Sequence, residues 1–150
     1  YNLGKTELQS DRTGDRSFPA SYDRTHDLNV SVTWQPFTRL YLSASYVYAT
    51  GLPYTKAKYG YMIGENLICE YYPRNSSRLP DYKRLDMSAS WIFTNSHGIR
   101  HQITLSVYNM LGNRNMLFRY LDYSVSNGVS HKSSVMDMVI PSITYSISLR

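Results

Sequence analysis

Cysteine is almost missing from the chain: Cys69 is the one thiol in 150 residues. It allows no internal disulfide, and no Cys or His stands near it at metal-ligand spacing. No apolar run approaches the roughly 20 residues that a spanning helix needs, which excludes a helical membrane protein. The signatures of catalysis are missing too. There is no Gly-x-Ser-x-Gly elbow, no His-Glu-x-x-His helix, no phosphate loop and no dinucleotide fingerprint. The chain is therefore read as a non-enzyme without metal or cofactor. Positive charge is in modest excess, +5 from 16 Lys and Arg against 11 Asp and Glu. The cations are scattered through loops and turns (Arg12, Arg16, Arg24, Lys56, Lys58, Arg74, Arg78, Lys83, Arg84) and do not line one face. That dispersion argues against nucleic acid as a partner. The chain opens at Tyr1 with neither Met nor a signal peptide. A secreted barrel carries such a signal at its true N-terminus, so the expectation is a processed protein or the tail of a longer one.

What is present is an alternation of period two. Asp27–Gln35 reads Asp-Leu-Asn-Val-Ser-Val-Thr-Trp-Gln, and the pattern returns at Leu40–Tyr48, Leu85–Phe93, Ile103–Tyr108 and Ile143–Leu149. Such a period puts Leu28, Val30, Val32 and Trp34 on one face of a strand and Asn29, Ser31, Thr33 and Gln35 on the other. The polar face consists of Ser, Thr, Asn and Gln, where a sandwich strand would turn Lys and Glu to bulk water. Hydrocarbon on one side and a wet or plugged lumen on the other is the environment that asks for this pattern. Tyrosine is abundant, 15 residues against 4 Phe, and its apolar ring and wet hydroxyl suit a lipid–water boundary or a sugar-binding surface.

The pattern predicts an antiparallel all-β chain forming one domain over residues 1–150, a segment of a transmembrane β-barrel. Tyr1–Leu8 is read as the end of a strand and Gln9–Ala20 as a loop. Tyr22–Gln35 and Arg39–Thr50 form a hairpin around a tight Pro36-Phe37-Thr38 turn. Gly51–Asp81 is a long insertion whose Tyr59–Ile63 and Leu67–Tyr71 stretches can pair locally. Tyr82–Phe93 and Ile99–Asn109 form a second hairpin around Asn95-Ser96-His97-Gly98. Leu111–Asn115 suits a turn or a bulge. Strand parity selects a bulge in one long strand running to Val125, followed by an outer loop at Ser126–Ser133 and a last strand at Val135–Leu149. That makes about six strands, one of them partial, too few for a closed barrel of at least about eight. The two edges then require strands from elsewhere.

Five stretches in order carry a family resemblance: Phe18-Pro-Ala-Ser-Tyr-Asp-Arg-Thr-His-Asp27, Tyr46-Val-Tyr-Ala-Thr-Gly51, Asn75-Ser-Ser-Arg-Leu-Pro-Asp-Tyr-Lys-Arg-Leu-Asp86, Ser106-Val-Tyr-Asn-Met-Leu-Gly-Asn-Arg-Asn115 and Ile140-Pro-Ser-Ile-Thr-Tyr-Ser-Ile-Ser148. Their order and spacing resemble the C-terminal strands of bacterial TonB-dependent outer-membrane receptors. The resemblance implies a 22-stranded barrel around an N-terminal plug, in the outer membrane of a Gram-negative bacterium. It also implies uptake of a siderophore, cobalamin, haem or glycan, energised through TonB. Two departures stand out. The chain stops at Arg150, where such barrels end on an aromatic residue, and nothing here resembles the plug or the TonB-contacting segment.

Three groups of residues are candidates for function. The insertion gathers Tyr54, Lys56, Lys58, Tyr59, Tyr61, Glu65, Tyr71, Tyr72 and Arg74, rings for stacking on sugars or flat chelates and cations for anionic cargo. The plain alternative is an exposed loop packing on its own tyrosines. Asp27, Arg84 and Asp86 are expected to form a lumen-wall charge network, with Asp27 or Asp86 pairing Arg84 across strands. His26 points away from Asp23 and Asp27 in an extended strand, which opposes metal ligation there. Trp34, Phe37, Trp91 and Phe93, all near the two short turns, suit an aromatic girdle against lipid. Two other readings remain open. One is a soluble β-sandwich, a carbohydrate-binding module using its tyrosines; the other is a small independent outer-membrane barrel lacking its first strands.

Overall fold

The computed structural model describes residues 1–9, 17–64, 66–124 and 128–148. The readings placed on 10–16, on Glu65, on 125–127 at the head of the expected outer loop and on Leu149–Arg150 lie outside the described residues. The fold is all-β with antiparallel sheets. The strands are β1 (Asn2–Leu3), β2 (Glu7–Leu8), β3 (Phe18–Pro19), β4 (His26–Phe37), β5 (Leu40–Ala49), β6 (Pro53–Tyr54), β7 (Ala57–Ile63), β8 (Asn66–Tyr71), β9 (Ser77–Arg78), β10 (Tyr82–Thr94), β11 (Arg100–Tyr108), β12 (Asn115–Ser124), β13 (Gly128–Met136) and β14 (Ile140–Ser148). They divide between two compact units, the first built from Tyr1–Asp27, Ala49–Tyr82 and Arg114–Met136, the second from Leu28–Tyr48, Lys83–Asn113 and Asp137–Arg150.

The second unit is made by the long alternating strands. Its sheet runs β4-β5-β10-β11-β14, with the short β1 added where Asn2 and Leu3 pair Asp27 and His26. The order is open, ending on β1 and β14. Register aligns like with like. Met87 opposes Val107, Ala89 opposes Leu105 and Trp91 opposes Ile103 between β10 and β11, while Leu105 opposes Ile143 and Ile103 opposes Tyr145 between β11 and β14. Partners in an antiparallel ladder share a face, so these side chains form one apolar surface. The hydroxyls form the other: Ser88 opposes Ser106, Ser90 opposes Thr104, Ser106 opposes Ser142 and Thr104 opposes Thr144. Side-chain bonds stitch that face across strands, Ser31–Ser45 at 3.0 Å, Thr33–Ser43 at 3.2 Å, Ser90–Thr104 at 2.8 Å and Ser106–Ser142 at 2.7 Å.

Two tight turns close the same end of this sheet. At Asn95 the side-chain oxygen accepts the N–H groups of His97 and Ile99, each at 3.0 Å, and Gly98 takes φ of 76°, a left-handed conformation that glycine enters without steric cost. The other turn differs from expectation. β4 continues through Pro36 and Phe37, and the chain reverses at Thr38–Arg39. Proline is tolerated there because β4 lies at the margin of the sheet at this level, where a missing ladder donor costs little.

The segment after β11 also departs from the long bulged strand. β11 stops at Tyr108, and β12 leaves the main sheet to pair β13. Asn109 and Gly112 both take left-handed conformations, with φ of 51° and 60°. The buried Asn109 amide donates to the carbonyls of Asn113 at 3.1 Å and Met138 at 3.4 Å. Two left-handed residues three apart reverse the backbone, whereas a bulge lets the same ladder resume. The direction of the ending is as parity required, since β14 runs antiparallel to β11 from Tyr108↔Ile140 to Arg100↔Ser148.

The first unit is assembled from two-stranded pieces, β2 with β3, β6 with β9, β7 with β8 and β12 with β13. The buried apolar residues Ala20, Ala49, Ala57 and Leu79 all belong to it. A polar clasp joins its segments. Asp23, 2% exposed, pairs with Arg78 and accepts the Thr6 N–H at 2.6 Å. Arg78 also donates to the carbonyls of Asp23 at 3.3 Å and Gly51 at 3.1 Å. Buried Asn75 donates to the Pro19 carbonyl at 2.7 Å, and its N–H reaches the Thr55 hydroxyl at 3.1 Å. The guanidinium beside Asp23, followed by the Thr6 N–H, holds its carboxyl below the usual aspartate range.

Candidate functional site

The insertion is an ordered hairpin on a two-strand neck. β6 and β9 pair at Pro53↔Arg78 and Tyr54↔Ser77, and β7 and β8 extend from them with Gly64 at φ of 62° in the turn. Register settles which residues share a face: Tyr59 opposes Glu70, Tyr61 opposes Ile68 and Ile63 opposes Asn66. All six are exposed. Tyr59 and Tyr61 sit two residues apart with ring centroids 6.3 Å apart and planes tilted 34°. A hydrogen bond to Glu70 pushes the Tyr59 hydroxyl above the ordinary tyrosine range, with burial and the carboxylate charge adding to it.

The eight residues expected to bind ligand do not converge on one spot. Tyr59 and Tyr61 share the exposed face just described. Lys56 lies 5.8 Å over the Tyr72 ring and Lys58 5.4 Å over the Tyr59 ring. Tyr71 follows Glu70 on β8 and so belongs to the opposite face, where its partner is Ala57. Arg74 lies 4.7 Å over the Phe18 ring, and the half-buried Tyr54 accepts a hydrogen bond from Arg119 at 3.3 Å. The cations are thus spread over separate rings.

A second aromatic pair lies where the sequence suggested barrel wall. Phe118 and Tyr120 on β12 are 55% and 47% exposed, with centroids 5.8 Å apart and a 35° tilt. β12 lies against β7 in the same unit. Reading Ile99–Val125 as one long strand with a bulge at Leu111–Asn115 hid these two. The signal that exposes them is Gly112 between Asn109 and Asn113, three turn formers within five residues.

In the second unit Arg84 and Asp86, two apart on β10, form an ion pair at 2.9 Å. The pair runs along one strand, not across two. Arg84 also donates to the Tyr108 hydroxyl at 3.1 Å with its guanidinium 4.7 Å over that ring, and Asp86 accepts the Asn109 N–H at 3.0 Å. The group therefore bridges β10 to the end of β11. Asp27 falls in the first unit, paired in register with Asn2.

Of the expected girdle residues, Trp34, Trp91 and Phe93 sit at the turn end of the apolar face, while Phe37, the last residue of β4, has the parity of Ser31 and Thr33 on the other. Trp34 is 62% and Trp91 48% exposed. Phe93 stacks on His101 at 5.0 Å, and His101 stacks on Tyr145 at 6.0 Å while its Nδ1 meets the Tyr145 hydroxyl at 2.7 Å. This makes an aromatic row across β10, β11 and β14. Among the described residues no three of His, Cys, Asp and Glu are grouped to hold a metal ion, and no helix is long and apolar enough to cross a membrane. Comparison with protein-family models, with curated proteins and with solved structures finds no match.

Proposed function

We propose that the chain is part of the barrel wall of a TonB-dependent receptor in the outer membrane of a Gram-negative bacterium. Its apolar face meets lipid, and its hydroxyl face lines a wet interior that holds a plug. One observation carries the reading. The second unit offers water a continuous apolar surface that includes Val30, Val32, Met87, Leu105, Ile143 and Ile147, and none of its described apolar residues is buried. A sheet in water hides such a face under a second layer; in a barrel wall, hydrocarbon covers it. The strand lengths support this, since β5, β11 and β14 have 10, 9 and 9 residues and a tilted spanning strand needs about 9–11. So does the aromatic row at one end, the place of an interfacial girdle.

On this reading further strands of a 22-stranded barrel meet the open ends of the sheet. The β7–β8 and β12–β13 hairpins belong to the outer loops that capture a siderophore, cobalamin, haem or glycan. TonB, working through residues outside this chain, moves the plug and releases the cargo inward. The test uses the chain's two tryptophans. After reconstitution in vesicles of brominated phosphatidylcholine, Trp34 and Trp91 should be quenched most by bromines near the headgroup end of the acyl chain. A protein that stays monodisperse in plain buffer with unquenched tryptophans is instead the soluble module, and the membrane reading fails.

A further inference from the structure

The two exposed aromatic pairs of the first unit say what kind of ligand suits it. Tyr59 with Tyr61 and Phe118 with Tyr120 repeat one geometry, neighbours two apart on a strand, 6.3 and 5.8 Å between centroids, tilted 34° and 35°. The strands that carry them lie against each other. An anionic chelate asks for convergent ammonium or guanidinium groups. Here Lys56, Lys58 and Arg74 lie over three different rings and Arg119 bonds the Tyr54 hydroxyl. On the Tyr59–Tyr61 face itself stands a carboxylate, Glu70, bonded to the Tyr59 hydroxyl. That carboxylate offsets the Lys58 ammonium over the Tyr59 ring, so the face has no net positive charge to hold an anionic cargo. A flat macrocycle is held in an enclosed apolar slot, whereas this face is open.

Rings spaced at roughly the size of one sugar unit, beside a carboxylate and the Asn66 amide, suit a different chemistry. The apolar C–H face of a pyranose stacks on an aromatic ring, and its hydroxyls donate to a carboxylate in charge-assisted bonds. We infer that the β7–β8 hairpin, with β12 beside it, is a platform for a neutral oligosaccharide chain. The inference deepens the import reading and rests on it for the use the cell makes of the glycan.

The experiment titrates the full chain in detergent with neutral hexasaccharides of α-glucan, β-glucan, mannan and galactan type, and separately with a ferric tris-catecholate and haemin, by calorimetry. At least one hexasaccharide is expected to bind. Tyr61→Ala should weaken it about three- to tenfold, while Tyr61→Phe, which keeps the ring, should bind as the parent does. Glu70→Gln should also weaken the sugar, whereas an anionic chelate would bind more tightly once that charge is gone. Binding of the chelate or haemin alone overturns the inference, as do silence from every hexasaccharide, unchanged affinity in Tyr61→Ala, or tighter sugar binding in Glu70→Gln. Bromolipid quenching of Trp34 and Trp91 does not depend on this hairpin, so failure here and failure of the membrane reading are told apart.

Discussion

An arginine walked through β4 tests which solvent touches each face. On the proposed membrane reading Trp34 marks the girdle end of the apolar face, and Val32 and Val30 follow at two and four residues from it. At about 3.4 Å per residue and a tilt of about 40°, Val32 lies about 5 Å and Val30 about 10 Å deeper than the Trp34 ring. The apolar band of such a barrel is about 25 Å tall, so on the proposed reading Val30 is close to the midplane. Val30→Arg should then destabilise by about 2–4 kcal/mol and Val32→Arg by about half that, since the cost fades toward the interface. Ser31→Arg lies between them in sequence but on the hydroxyl face, where Ser31 does no more than meet Ser45 at 3.0 Å; it should stay within about 0.5 kcal/mol. In folding constants, Val30→Arg costs about 30-fold or more while Ser31→Arg costs about twofold. Urea unfolding of the protein refolded into lipid vesicles, followed by tryptophan fluorescence, reads all three. In water Val32, 58% exposed, is a surface site, so a flat series near 0.5 kcal/mol refutes the lipid assignment. A Ser31→Arg cost equal to that of Val30→Arg shows the faces are exchanged.

The clasp of the first unit supplies further tests. Arg78→Ala strands the Asp23 carboxylate, which retains the Thr6 N–H, and should cost about 1.5–3 kcal/mol; amide exchange at Thr6 and Leu79 reads it. Arg78→Lys should recover part of this, because one ammonium cannot replace a fork that reaches the Asp23 carboxylate and the carbonyls of Asp23 and Gly51. The Asp23 carboxyl is held below its ordinary value, so its contribution is complete above about pH 4 and is lost as pH falls below that toward the depressed native value. An acid titration of the same amides should show the loss, and Arg78→Ala should flatten it. Gly51→Ala should cost about 3 kcal/mol or more, since a Cβ there would stand 1.6 Å from the Leu79 carbonyl oxygen. A thermal melt unchanged by this substitution would show that the neck of the insertion packs differently.

The strands that were legible in the sequence are those whose two faces meet different surroundings. β4, β5, β10 and β11 alternate because Val32 and Ser31, or Met87 and Ser88, face opposite sides of one sheet. Two-residue strands such as β2, β3, β6 and β9 are too short to show a period. In β12 the consecutive Met116-Leu117-Phe118 erases the alternation at a register shift, and the segment read as a continuation of β11. Proline misled in another way. Pro36 suggested a turn, but β4 lies beyond the reach of β1 at that level and accommodates it, and the reversal falls at Thr38–Arg39. The clasp was out of reach altogether. Asp23 and Arg78 are 55 residues apart, and each looks like an ordinary loop charge until the neck of the insertion brings them together.

The two units draw stability from different sources, and that difference bears on function. Among the described residues, the buried apolar side chains of the first unit are three alanines, Pro53 and Leu79. Burying one leucine is worth about 1.5–3 kcal/mol and each methyl about 0.8, which is no more than two or three charge-assisted hydrogen bonds contribute at about 1.5–3 each. Polar clasps such as Asp23–Arg78 and Asn75–Pro19 therefore weigh as much as its small core. A unit held this way keeps large rings on its surface, as Tyr59, Tyr61, Phe118 and Tyr120 show. The second unit has no buried apolar side chain among its described residues, so the medium touching Val30, Leu105 and Ile143 must supply the term that a core would. On the proposed reading that medium is hydrocarbon, and the sheet is a wall that takes from lipid the stability that a core would otherwise give it.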